Sequence, residues 1–196
     1  MELSVETRGR GPDLVLVHGW GMSAAVWRGL PGDLALGHRL TAIELPGHGH
    51  SPLDRGWTAL GDWVSACLRS APPQAVWLGW SLGGLLALAA ALREPQRVSA
   101  LVQVTATPRF VSAPDWPAAM APETLDRFHE GLLEDPATTL QRFLALQVRG
   151  SDAGRATLRE LRRELAGRPQ PHPAALATGL DLLRASDLRD RLPGLP

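Results

Sequence analysis

The chain has 196 residues, 44% of them hydrophobic, and its 20 basic residues balance its 20 acidic ones. That length can bury one sizeable core, its longest apolar run is far too short to cross a bilayer, and zero net charge argues against a general nucleic-acid binder. One cysteine, Cys67, excludes an internal disulfide and suits a reducing cytoplasm. All the basic residues are arginine, lysine and tyrosine are missing, and proline reaches 17, a compositional bias without functional weight.

The N-terminus, Met1–Glu6, is acidic and alternating where a secretory signal is basic and then continuously apolar, so it reads as a first strand. Apolar strand-like runs follow at Leu14–Val17, Leu40–Leu45, Ala75–Leu78 and Ala100–Thr105, separated by helical patterns at Ala24–Leu36, Leu60–Arg69 and Leu82–Leu92. That alternation predicts a mostly parallel sheet covered by helices on both faces. Cys67 falls on the apolar side of Leu60–Leu68 and reads as a small core residue. After Thr105 the pattern changes: Glu123–Leu133, Ala137–Val148, Ala153–Ala166 and Ala174–Ala185 are helical and punctuated by prolines, with no convincing strand. The organisation expected is an α/β core over residues 1–107, a helical cap over 108–188, and a linker at 189–196 that returns towards core strands lying beyond the chain.

Gly79-Trp80-Ser81-Leu82-Gly83 stands between a strand and a helix. A serine flanked by glycines can occupy a sharp strand-to-helix turn that holds its Oγ up at the end of a sheet, as a nucleophile elbow does. The pattern alone arises by chance in roughly one of ten such sequences, so its context carries the weight. Upstream, Leu14–Val17 ends in His18-Gly19-Trp20-Gly21, a glycine-rich loop placed to give an oxyanion hole its second N–H; the donors expected are the backbone N–H groups of Leu82 and Trp20. A third piece, Leu45-Pro46-Gly47-His48-Gly49-His50-Ser51, closes a strand beside the same sheet end. The chemistry indicated is acyl transfer from an ester or amide, with no metal or organic cofactor. His48 and His50 lack a third ligand and are expected in a solvated loop.

The chain resembles the α/β-hydrolases, and among them the family of pimeloyl-carrier-protein methyl ester carboxylesterases of biotin biosynthesis. The resemblance runs over essentially the whole chain. It is carried by the His18–Gly21 loop with Val26-Trp27, by Leu45-Pro46-Gly47, by Trp77–Leu85 around Ser81, by Asp115-Trp116-Pro117 and by Arg142-Phe143-Leu144-Ala145-Leu146-Gln147. It implies Ser81 as nucleophile and a hydrophobic acyl cavity between core and cap. It also implies an acyl carrier protein as partner, received by Arg142, Arg155 and Arg159, and a monomer at full length. Trp20, Trp80 and Phe143 are the candidates for lining the acyl pocket, although Trp80 can equally turn into the core.

Over residues 142–168 seven arginines face three acids, a local charge of +4 in a neutral chain. Without the resemblance this is a solvated helix face with internal pairs such as Glu160 with Arg163 and Glu164 with Arg168. The chain departs from the family where it stops at Pro196, because a triad acid and histidine follow the serine in that order on loops after later strands. His129 and His172 are the only later histidines, and both sit on candidate cap helices or a proline-rich stretch. The expectation is therefore that the 196 residues alone are catalytically incomplete and that Ala100–Thr105 is an exposed sheet edge. Two alternatives stand beside the carboxylesterase: another α/β-hydrolase acting on a different small ester or thioester, and a fragment or binding module without turnover.

Overall fold

The computed structural model describes residues 1–30 and 32–195. Five strands, β1 (Val5–Arg8), β2 (Asp13–Val17), β3 (Arg39–Ile43), β4 (Ala75–Trp80) and β5 (Val98–Val104), form one sheet in the order β1-β3-β2-β4-β5. Only β1 runs antiparallel to its neighbour; the pairs β2 with β3, β2 with β4 and β4 with β5 are parallel. Parallel strands need both faces covered, which is why β2 and β3 read as continuous apolar runs. β1 begins later than the alternation of Met1–Glu6 suggests, because Leu3 and Ser4 give their N–H groups to the hydroxyls of Ser70 and Ser51.

α2 (Leu60–Ser70) and α3 (Leu82–Arg93) pack on one face, where Val15, Val17, Ile43 and Trp77 meet Trp63, Cys67, Leu85 and Leu86. Cys67 is buried there, and burial pushes its thiol up to about 12, so it is inert core. The opposite face carries Leu14, Leu16, Leu40 and Ala42 under Ala24 and Trp27. The single helix expected over Ala24–Leu36 is instead a 3-10 helix, Ala24–Gly29, followed by α1 (Gly32–Gly37). Gly29 and the proline at 31 interrupt helical propagation; residue 31 itself lies outside the described residues.

Four helices follow β5: α4 (Pro122–Glu134), α5 (Pro136–Gln147), α6 (Gly154–Ala166) and α7 (Pro173–Ala185). Three of them start on proline, whose missing N–H costs nothing in the first turn. Asp135 caps α5 by accepting Thr138 N–H at 3.0 Å, and His172 Nδ1 caps α7 by accepting Ala174 N–H at 3.1 Å. The two ends of this helical segment are tied together: Leu188 N–H reaches Pro108 O, Arg109 meets Asp187 at 2.6 Å, and Arg189 reaches Asp115 at 2.9 Å. The final residues, expected as a linker, form a 3-10 helix at Arg189–Gly194.

Among the described residues β5 is a sheet edge, paired only with β4, and one of its faces is thinly covered. Register places Val76 opposite Ala100, Leu78 opposite Val102 and Trp80 opposite Val104, so six apolar residues share one side. Val102 and Val104 are 42% and 38% exposed.

Candidate active site

Ser81 occupies the turn between β4 and α3 with φ 54° and ψ −118°. Left-handed φ at a residue with a side chain is strained, and such strain persists only where its surroundings over-determine it. Here the flanking glycines supply the constraint. A Cβ on Gly79 would overlap the Gly83 carbonyl and Gly84 Cα, and a Cβ on Gly83 would overlap the carbonyls of Val17 and His18. The elbow is thus pressed against the end of β2. Ser81 N–H bonds Val104 O at 2.9 Å, while Ser81 O accepts Gly84 N–H and Leu85 N–H.

Leu82 opens α3, so no carbonyl of its own helix lies one turn back to take its N–H. The His18–Gly21 loop lies alongside: the Cα of Gly19 sits where an added Cβ would come 3.4 Å from Ser81 Cβ. The structure therefore brings together Ser81, Leu82 and Trp20, three of the residues singled out in the sequence. Trp20 is buried and anchored by its indole N–H, which donates to Leu176 O on α7 at 2.7 Å. Phe143 from α5 meets it edge-on at 4.8 Å between ring centroids. Phe128 from α4, which the sequence reading did not single out, completes the cluster at 6.0 Å from Trp20 and 5.9 Å from Phe143. Its signal was available in the spacing of Leu125, Phe128 and Leu132 along one helix face. Trp80 takes the other alternative and packs on the Leu14–Leu16 side of the sheet.

Histidine placement differs from expectation in one case. His48 is fully buried, not in a solvated loop, because both ring nitrogens find backbone partners: Nε2 accepts Gly21 N–H at 3.3 Å and Nδ1 lies 2.9 Å from Pro46 O. His18 is equally buried, with Nε2 accepting Leu45 N–H at 3.0 Å and Nδ1 2.8 Å from Gly19 O. Burial is the main cause that lowers both, His18 to about 3 with help from His48, and His48 to about 4. His129 pairs with Asp181 at 3.7 Å, His172 caps α7, and His50 is exposed. Among the described residues none of these imidazoles bonds Ser81.

Arg142, Arg155 and Arg159 are all exposed, the first on α5 and the others on α6. Arg163 pairs with Glu160 at 3.5 Å, as the sequence suggested. The expected Glu164–Arg168 pair does not form. Arg168 lies just past the end of α6 and instead meets Glu6 on β1 and, at 3.4 Å, the fully buried Glu44, while Glu164 turns to Arg163 and Arg28. A buried carboxylate recruits a cation more strongly than an exposed one does.

The family profile described as alpha/beta hydrolase fold matches residues 12–185. A pimeloyl-[acyl-carrier protein] methyl ester esterase from Methylococcus capsulatus is 47% identical over the whole of this chain and 76% of its own length. One from Aeromonas salmonicida is 46% identical over 98% of this chain and 76% of its own length. Among solved structures, an esterase from Exiguobacterium antarcticum superposes with a TM-score of 0.85 at 22% identity, covering 99% of this chain and 74% of that one. An enol-lactonase from Burkholderia xenovorans LB400 gives 0.79 at 21%, covering 99% and 74%. At such identities the structures speak for the fold, whereas the sequence relatives speak for the family. With a strained serine between β4 and α3 and a glycine-rich loop against it, the chain belongs to the α/β-hydrolase family and, within it, to the pimeloyl-[acyl-carrier protein] methyl ester esterases.

Proposed function

We propose that the protein is a serine carboxylesterase that hydrolyses the methyl ester of a pimeloyl group carried on acyl carrier protein, releasing methanol, as a step of biotin biosynthesis. The observation that carries this reading is the left-handed Ser81 at the mouth of α3, in a chain 47% identical to an esterase named for that substrate. In this reading Ser81 Oγ attacks the ester carbonyl, and the tetrahedral oxygen takes hydrogen bonds from the N–H groups of Leu82 and Trp20. Each such donor is worth about 3–4 kcal/mol of barrier. Methoxide leaves as methanol, and water then releases the acyl group from serine. The serine proton needs a base, and none of the described imidazoles bonds Ser81. The chain spans about three quarters of the length of the curated relatives it matches.

The segment 108–188 acts as the cap. Phe143, with Trp20, forms the apolar wall against the acyl chain. Arg142, Arg155 and Arg159 receive the carrier; Arg155 and Arg159 are exposed and hold no ion pair among the described residues, so their charge is available to an acidic partner. The reading places the enzyme in the cytoplasm, as a monomer at full length; no helix among the described residues is long and apolar enough to cross a membrane.

One experiment separates this reading from a non-hydrolytic binding module. Wild type, Ser81→Ala and the triple Arg142→Glu/Arg155→Glu/Arg159→Glu variant are assayed on a carrier-linked methyl ester and on a small soluble one, at the relatives' length. Ser81→Ala should abolish both activities, and the triple variant should lose only the first. More than about one per cent of activity left in Ser81→Ala would unseat the serine. Equal loss on both substrates in the triple variant would return the arginines to a structural role.

A further inference from the structure

Two buried imidazoles hold the loop that carries Trp20, and their hydrogen bonds fall on the two peptide units that flank it. His18 Nδ1 lies 2.8 Å from Gly19 O, and the Gly19 carbonyl belongs to the same planar unit as Trp20 N–H. Because that unit is trans, fixing the carbonyl at one end aims the Trp20 N–H the opposite way. The next unit contains Trp20 C=O and Gly21 N–H, and Gly21 N–H donates to His48 Nε2 at 3.3 Å. Gly19 O also accepts Met22 N–H at 3.2 Å, closing the turn.

The partners determine the tautomers. Each Nε2 accepts a backbone N–H, from Leu45 for His18 and from Gly21 for His48, so neither Nε2 carries a proton. Each Nδ1 faces a carbonyl, Gly19 O or Pro46 O, and must donate. The rings stand 5.3 Å apart, His48 also packs edge-on to Trp63 at 6.3 Å, and turning either ring over would exchange its donor and acceptor against fixed backbone partners. A proton added at Nε2 would set N–H against N–H, facing Gly21 of the loop in His48 and Leu45 in His18.

We propose that His18 and His48 are positioning residues of the oxyanion hole: as a neutral, Nδ1-protonated pair they fix the peptide planes on both sides of Trp20 and so the direction of its N–H. The inference rests on the serine-esterase reading. It extends that reading to two histidines that take no part as bases.

The test compares His48→Leu, which keeps volume but loses the acceptor, with His48→Gln, whose amide can accept from Gly21 and donate to Pro46. Losing the hold on one oxyanion donor should lower kcat about 10- to 100-fold in His48→Leu with KM within about threefold, and His48→Gln should recover most of the loss. Equal defects in both variants, or a defect carried by KM, would overturn the proposal. A second measurement needs no substitution: in the imidazole ¹⁵N spectrum of the wild-type chain at pH 7, both buried rings should be protonated at Nδ1 and bare at Nε2, with couplings to the Gly21 and Leu45 amides. An Nε2-protonated ring at either position would overturn it regardless of how the variants fold. The kinetic variants are made at the relatives' length; absence of any Ser81-dependent turnover in wild type at that length would instead strike the esterase reading, and the ¹⁵N spectrum would then decide the histidine geometry alone.

Discussion

Acidification from pH 7 to pH 5 should cost this fold about 4 kcal/mol, and His18 and His48 should account for nearly all of it. In the unfolded chain an imidazole titrates near 6.5. In the fold, burial holds His18 at about 3 and His48 at about 4. Below pH 6.5 the unfolded state therefore binds more protons than the native one, and stability falls as pH falls; above that value the contribution is complete. Each ring contributes a slope approaching 1.4 kcal/mol per pH unit, or about 2 kcal/mol over the interval. Asp187, held well below the usual carboxylate range by Arg189 and Arg109, and Asp115 and Asp135, lowered by Arg189 and Thr138, act at lower pH and leave this window to the histidines. Urea unfolding followed by tryptophan fluorescence at pH 8, 7, 6 and 5 and fixed ionic strength gives the measurement. With a denaturant slope of about 2 kcal/mol per molar, the midpoint should drop by about 2 M between pH 7 and 5. His48→Gln should halve the dependence. A midpoint that stays level from pH 7 to 5 would show that the rings take up protons in place, without losing the backbone N–H groups that face each Nε2.

Three further outcomes follow from the packing. Gly83→Ala sets a methyl group against two backbone carbonyls of β2 and its loop, so it should cost about 3 kcal/mol or prevent folding, read as a midpoint shift in the same urea titration. Arg168→Met takes the cation from the buried carboxylate of Glu44, leaving it only His50 N–H, and should cost about 3 kcal/mol, of which Glu44→Gln in the same chain should return a large part; additive losses would mean the two groups do not interact. The 196-residue chain should self-associate through β5, and Val102→Lys/Val104→Lys should restore a monomer by light scattering; a wild-type monomer would mean the edge is harmless.

Much of this architecture was legible because its signals are local. Period-two and continuous apolar runs gave β2 to β5 within two residues at either end, and prolines marked where α4, α5 and α7 begin. The elbow was legible for the same reason, since Gly79, Ser81 and Gly83 lie within five residues. What the sequence concealed is non-local. His48 looks like a loop residue among glycines, and only the approach of Gly21, 27 positions away, turns it into a core group. Glu164 is four residues from Arg168 and reads as its partner, yet Glu6 and Glu44 win across the fold, because the buried Glu44 has only His50 N–H besides this cation to offset the water it has lost. Trp80 was ambiguous because alternation in β4 gives a side only once its neighbours are known.

The helical segment is fastened to the core by two different kinds of contact, and the difference bears on how a carrier would act. α4, α5 and α7 bury Leu125, Leu132, Leu140, Leu144, Leu176 and Leu180, and through Phe128, Phe143 and Leu176 they seat directly on Trp20. α6 buries no side chain fully; it is tied down by Glu164 to Arg28, and just beyond its end by Arg168 to Glu6 and Glu44. Apolar seating resists salt, as does the pair with the buried Glu44, whereas the partly exposed Glu164–Arg28 contact on α6 itself weakens with it. The helix that carries Arg155 and Arg159 is thus the one most easily shifted, while the aromatic cluster of Trp20, Phe128 and Phe143 is the part held most firmly. Acidic groups docking on α6 would compete with Glu160 and Glu164 for its guanidinium groups, and the movement this allows is confined to the outer layer. Amide hydrogen exchange in rising salt would test that division: protection should fall in α6 first and leave α4, α5 and α7 unchanged, and a uniform loss across all four helices would refute it.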